Sequence, residues 1–150
     1  MLVRVTEAVL EPGQAIAAVE NPAAGAIDVF LGVVRDNNLG RRVDHLVYDA
    51  YPAMAEKTMA EIGEEARGRF GLIDFAILHR TGRLEIGETS LLIAVSCGHR
   101  AASFEGGHWL VDEIKKRLPV WKKEVWEDGE EWVEGPEALG MQLPAGVRGK

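Results

Sequence analysis

The chain has 150 residues, of which 47% are apolar and 27% charged, the balance of one folded domain and not of a disordered polymer. A formal net charge of −7 argues against bulk nucleic-acid binding, which needs excess basic charge. The single cysteine, Cys97, excludes an intramolecular disulfide and a multi-cysteine metal site. The segment MLVRVTEAVLEPGQ lacks the basic-then-apolar pattern of a secretion signal, and no apolar run approaches membrane length. The expectation is a cytoplasmic protein that touches neither membrane nor nucleic acid.

Val3 and Val5 alternate with polar neighbours, as in a short strand. Pro12 to Glu20 reads as a helix closed by Asn21-Pro22, and Ala26 to Val34 as a strand rich in β-branched residues. Asp36 to Gly40 is a turn-rich loop before a second strand, Val43 to Ala50. A helix from Pro52 to Phe70 places Ala55, Met59, Ile62 and Ala66 on one face and ends at Gly71. Strands follow at Leu72 to His79 and Thr89 to Cys97, joined by a glycine-punctuated connection. The next helix runs from Ala101 to Leu118, with Phe104, Val111, Ile114 and Leu118 as its apolar stripe, and stops at Pro119. Val120 to Trp126 and Glu131 to Val133 form a hairpin around Asp128-Gly129. The glycine- and proline-bearing tail from about residue 135 reads as irregular. Adjacent strand pairs with only two long helices favour α+β over a doubly wound sheet, in one domain covering 1–150.

The average charge hides a local reversal. Lys115 to Lys123 holds five basic residues and no acid, while Glu124 to Glu137 holds seven acids and no base. A basic cluster in an acidic chain is a candidate small-anion site, and equally a solvated helix end followed by an acidic hairpin. Lys115 lies on the last turn of its helix. Lys122 shares a strand face with Val120, Glu124 and Trp126, and Lys123 points the other way. A lysine facing a pocket could hold phosphate, move a proton or form an adduct, or it could merely complement the helix dipole. His99-Arg100 opens a helix, where backbone N–H groups and a guanidinium favour an anion, although His99 could simply cap the helix. Arg35, at a strand end, is a third anion contact or an exposed terminus.

Other constellations are poorer. His45, His79, His99 and His108 show no metal-ligand spacing, and no P-loop or GxGxxG occurs. Cys97 reads as a small buried residue. Trp121, Trp126 and Trp132 read as core or interface anchors, and the carboxylates around Glu130 as a solubilising hairpin.

Taken in order, GVVRDNNLGRRV (32–43), LVYDAYPAMA (46–55), HRTGRLEIGE (79–88), SCGHRAASFEGG (96–107) and VDEIKKRLPVWKKEVWEDGEEWV (111–133) resemble the catalytic, large subunit of molybdopterin synthase. The resemblance runs from about Gly25 to Val133. Asp49 stands where that family commonly has Glu, and Gly106-Gly107 is an unusual pair inside a helix. The resemblance implies an α/β-hammerhead-like fold with an additional antiparallel sheet. It implies a sulfurtransferase that builds the dithiolene of molybdopterin from cyclic pyranopterin monophosphate, in molybdenum cofactor biosynthesis. Sulfur would come from a small ubiquitin-like carrier subunit whose C-terminal Gly-Gly ends in a thiocarboxylate. A homodimer would form the core of a heterotetramer, with no cofactor or metal needed by the synthase itself. By the same resemblance Lys115 and Lys122 are the catalytic lysines, and they line the substrate site with Arg35, His99 and Arg100. Two other classes remain: a non-catalytic binding partner of a ubiquitin-like carrier, and a hot-dog-like thioesterase, which would need a catalytic carboxylate on the helix.

Overall fold

A computed structural model describes residues 1–134. The irregular tail expected from about residue 135 lies outside the described residues. The strands are β1 (Leu2–Thr6), β2 (Ala26–Val33), β3 (Asn37–Asn38), β4 (Arg41–Arg42), β5 (His45–Ala50), β6 (Asp74–Arg80), β7 (Gly82–Glu85), β8 (Thr89–Cys97), β9 (Val120–Trp126) and β10 (Gly129–Glu134). The helices are α1 (Pro12–Val19), α2 (Pro52–Phe70) and α3 (Arg100–Arg117).

One four-stranded sheet has the order β1-β6-β8-β2, with β1 and β6 parallel and the other pairs antiparallel. A second, antiparallel sheet has the order β10-β9-β5-β7, and β3 and β4 form a two-residue hairpin. The α+β expectation is therefore met. Alternation along β6 divides the first sheet's core between its two faces. Phe75 and Ile77 pack under α2 and α3 with Ile93 and Val95, while Ala76 and Leu78 pack under α1 with Ala15 and Val19. Pro12 starts α1 at its first turn, and Gly71, in the left-handed conformation, closes α2. Arg117 of α3 grips the Glu65 carboxylate of α2 through both terminal nitrogens, at 2.9 and 3.0 Å, holding the two helices side by side.

Three sequence expectations change. The connection at residues 82–85 is a strand, β7, paired with β5, and the loop at 36–40 opens the β3–β4 hairpin, which runs on to Arg42. Both are too short to show a periodic pattern. Phe104 does not belong to the core stripe of α3: it is 63% exposed, and the buried positions are Ser103, Gly106, Gly107, Leu110 and Ile114. The glycine pair explains the shift. A Cβ at Gly106 would come within 2.8 Å of Leu72 Cδ2 and 3.3 Å of Phe70 Cβ, and one at Gly107 within 3.1 Å of Asp28 Oδ2. The helix backbone thus sits directly on the end of α2 and on β2, where a larger residue would not fit. Cys97 is fully buried, and burial together with the nearby Asp28 carboxylate pushes its thiol pKa up, away from thiolate chemistry.

Candidate active site

The end of β2, the start of β8, the last turn of α3 and strands β5 and β9 of the second sheet line a cavity of about 250 Å³. Arg35 enters it from the end of β2, Lys115 from the last turn of α3, and Lys122 from β9. The C-terminal carbonyls of a helix favour a cation, so α3 accommodates Lys115 there at little cost. Its floor is a small apolar cluster that includes Val34, Val43 and Leu46.

Each lysine has a neighbour turned elsewhere. Lys116 lies 3.9 Å from Glu113 on the exposed face of α3. Lys123 reaches Glu130 at 3.2 Å and lies over the Trp132 ring, 5.5 Å from its centroid. Among the described residues Lys115 has no ion-pair partner. The alternation that separates Lys122 from Lys123 also brings Glu124 into the cavity beside Lys122.

Glu124 is 3% exposed and fully engaged. Its Oε2 accepts a 2.7 Å bond from Asn38 Nδ2, and its Oε1 accepts one of 3.1 Å from Trp126 Nε1. With its amide nitrogen committed to Glu124, Asn38 turns Oδ1 toward Arg35, whose Nη2 lies 3.5 Å away. The guanidinium of Arg41 covers the Trp126 ring at 3.6 Å and bonds Asp128 at 3.0 Å, fastening the hairpin from outside. Among the described residues that line this cavity three cations face one carboxylate, so it suits an anion.

His99 and Arg100 lie elsewhere in the chain. His99 holds the N-cap position of α3 with extended backbone and makes no side-chain capping bond. Fifteen residues of helix separate Arg100 from Lys115, about 22 Å at 1.5 Å per residue. Within one chain the two ends of α3 do not share a pocket. Sequence reasoning overlooked Asn38, Tyr48 and Glu124 as parts of the cavity. For Glu124 the signal was present, since it alternates in phase with Lys122.

Among the described residues no group of three or more His, Cys, Asp or Glu side chains is placed to hold a metal ion, and no helix is long and apolar enough to cross a membrane.

Residues 5–117 match the family model described as MoaE protein. The chain is 52% identical over 122 residues to the molybdopterin synthase catalytic subunit of Pyrococcus abyssi, covering 81% of this chain and 82% of that one. The crystal structure of molybdopterin synthase from Staphylococcus aureus superposes with a TM-score of 0.83 at 37% identity, over 87% of this chain and 95% of that chain. A chain from the complex of subunits 1 and 2 of the molybdopterin-converting factor of Helicobacter pylori shares the fold, with a TM-score of 0.68 at 20% identity over 87% and 88%.

Proposed function

Because this chain belongs to the family of molybdopterin synthase catalytic subunits, sulfurtransferases of molybdenum cofactor biosynthesis, we propose that the cavity holding Arg35, Lys115 and Lys122 is where sulfur is transferred. The observation that carries this reading is the convergence of these three cations from β2, α3 and β9. The substrate, cyclic pyranopterin monophosphate, is anionic, and Arg35 with Lys122 would hold it. The donor is the thiocarboxylate at the Gly-Gly terminus of a small ubiquitin-like carrier subunit. Glycine at the tail lets an extended backbone enter a narrow opening that side chains would block.

The thiocarboxylate sulfur forms a C–S bond to a side-chain carbon of the pterin as a C–O bond of that carbon breaks, the oxygen leaving with a proton or staying on the phosphate; two carriers, used in turn, supply the two sulfurs of the dithiolene. Water then breaks the bond between that sulfur and the carrier's carbonyl carbon, so the sulfur stays on the substrate and the carrier leaves as a carboxylate. Both steps place negative charge on oxygen and need protons moved. Lys115, which has no ion-pair partner among the described residues, supplies charge stabilisation and a transferable proton, with Lys122 assisting.

His99 and Arg100 enter this reading through a second copy of the chain. β2 is an edge strand of the first sheet, and Ile27, Leu31 and Val33 on it are exposed apolar residues, as is Phe104 on α3. Edges of this kind invite pairing with another chain. The start of β2 lies beside the start of α3, because Ala26 pairs with Cys97, and Arg35 follows its end. A two-fold axis through the middle of β2 would set His99 and Arg100 of one copy beside Arg35 of the other. The homodimer, with one carrier at each end, is thus the form in which all five residues meet.

The test is reconstitution of the purified chain with thiocarboxylated carrier and cyclic pyranopterin monophosphate, assaying the dithiolene product. Product is expected. A carrier active with a known synthase that yields none here would overturn the reading.

A further inference from the structure

Among the described residues that line the cationic cavity only one is aromatic, Tyr48. It stands opposite Lys122 in the β5–β9 ladder. The register puts Tyr48 on the same sheet face as Lys122 and Glu124, whereas Val47, Lys123 and Trp132 share the opposite face. Tyr48 therefore presents its ring to the cationic cavity.

What holds it there is His79. This residue ends the core face of β6, is 6% exposed, and plays no part in the chemistry above. Its Nδ1 lies 2.8 Å from the Arg80 carbonyl oxygen. A carbonyl can only accept, so Nδ1 carries the hydrogen and the tautomer is fixed. The imidazole then meets the Tyr48 ring edge-on, with centroids 5.0 Å apart and planes at 68°. That is a favoured arrangement for two aromatic rings, in which the edge of one meets the face of the other. Burial and the nearby Lys115 ammonium both oppose a charge on His79, so the contact is one between neutral rings.

We propose that His79 is a positioning residue that sets the tilt of Tyr48, and that Tyr48 is the wall against which the flat ring system of the substrate lies in the cationic cavity. The cations recognise the phosphate, and every phosphorylated metabolite has one. The aromatic wall selects for a planar heterocycle. This inference rests on the reading of the cavity as the pterin site.

Three variants divide the contributions. His79→Asn keeps a nitrogen donor for the Arg80 carbonyl and removes the ring. His79→Phe keeps a ring edge for Tyr48 and removes the donor. Tyr48→Leu keeps an apolar side chain and removes the wall. In the reconstituted assay, KM for cyclic pyranopterin monophosphate is expected to rise roughly three- to tenfold in His79→Asn and Tyr48→Leu, the range for one lost aromatic contact, with kcat little changed. His79→Phe should stay close to the wild-type KM even where its melting temperature falls. Folded His79→Asn or Tyr48→Leu protein with the wild-type KM overturns the assignment. So does a His79→Phe variant as impaired as His79→Asn, or a KM that simply follows melting temperature through the series. An inactive wild-type chain would instead fault the reading of the site itself.

Discussion

Asn38 and Glu124, 86 residues apart in the chain, are joined by a 2.7 Å hydrogen bond that fastens the β3–β4 hairpin to β9. The bond crosses from the loop that follows Arg35 to the strand that carries Lys122. Two cations of the site are therefore spaced by a carboxylate that is not itself free to bind anything else.

Glu124→Ala should loosen this fastening. It leaves the Asn38 amide and the Trp126 indole without their acceptor, a cost of about 1–3 kcal/mol when such groups stay buried. Urea unfolding would measure the loss. Titration with cyclic pyranopterin monophosphate should show weaker binding, because Asn38, released from Glu124, no longer holds its Oδ1 toward Arg35.

The lysine pairs carry their own controls. Lys115→Ala should nearly abolish dithiolene formation, and Lys122→Ala should impair it strongly, with the fold intact by circular dichroism. Lys116→Ala and Lys123→Ala break surface pairs at 3.9 and 3.2 Å and should cost little. Equal losses across all four would mean that the cluster is a diffuse electrostatic patch.

Mixed dimers test the composite site. Arg35→Ala and Arg100→Ala should each weaken pterin binding roughly 10- to 150-fold, the worth of one charge-assisted contact. At substrate concentrations too low for Arg100→Ala to turn over, Lys115→Ala and Arg100→Ala chains unfolded together and refolded in equal amounts should recover about a quarter of wild-type activity, because half the dimers are mixed and half their sites are whole. No recovery, with mixed dimers shown to form, would place Arg100 outside the site.

Acid should unfold the protein partly through His79. Its pKa is lowered from 6.5 to about 4, by burial first and by Lys115 in addition, with the Arg80 carbonyl opposing. A histidine held neutral in the fold binds its proton more readily when unfolded. Stability from this group is therefore full above pH 6.5, falls as pH drops toward 4, and changes no further below that. The loss across the window is on the order of 3 kcal/mol. The difference in unfolding free energy between pH 7 and pH 4 should shrink by about that amount in His79→Phe.

Much of this molecule is legible in its residues taken singly or in pairs. The period of Ala55, Met59, Ile62 and Ala66 gives α2 and its buried face, and the apolar run of Thr89–Cys97 gives the central strand β8. Phe104 misleads because an apolar side chain at the right spacing looks like core. The contact there is made by glycine backbone, and closeness rather than hydrophobicity buries it. Arg35, Lys115 and Lys122 stand out as charges, but nothing local says that they meet. Tyr48 and Glu124 are harder still, since their place depends on the β5–β9 register across more than seventy residues of chain.

The bare stretch of α3 at Gly106-Gly107 has a practical corollary for anyone wishing to make this enzyme tougher. Replacing helical glycines with alanine ordinarily gains about 1 kcal/mol at each position. Here the added methyl groups would press on Leu72, Phe70 and Asp28, and overpacking of that kind costs about 1–3 kcal/mol. The helix could relieve the pressure only by lifting away from α2 and β2, and its far end, with Lys115, would move with it. Stiffening the helix and keeping the lysine on target are thus opposed demands, and thermostability has to be sought on other elements.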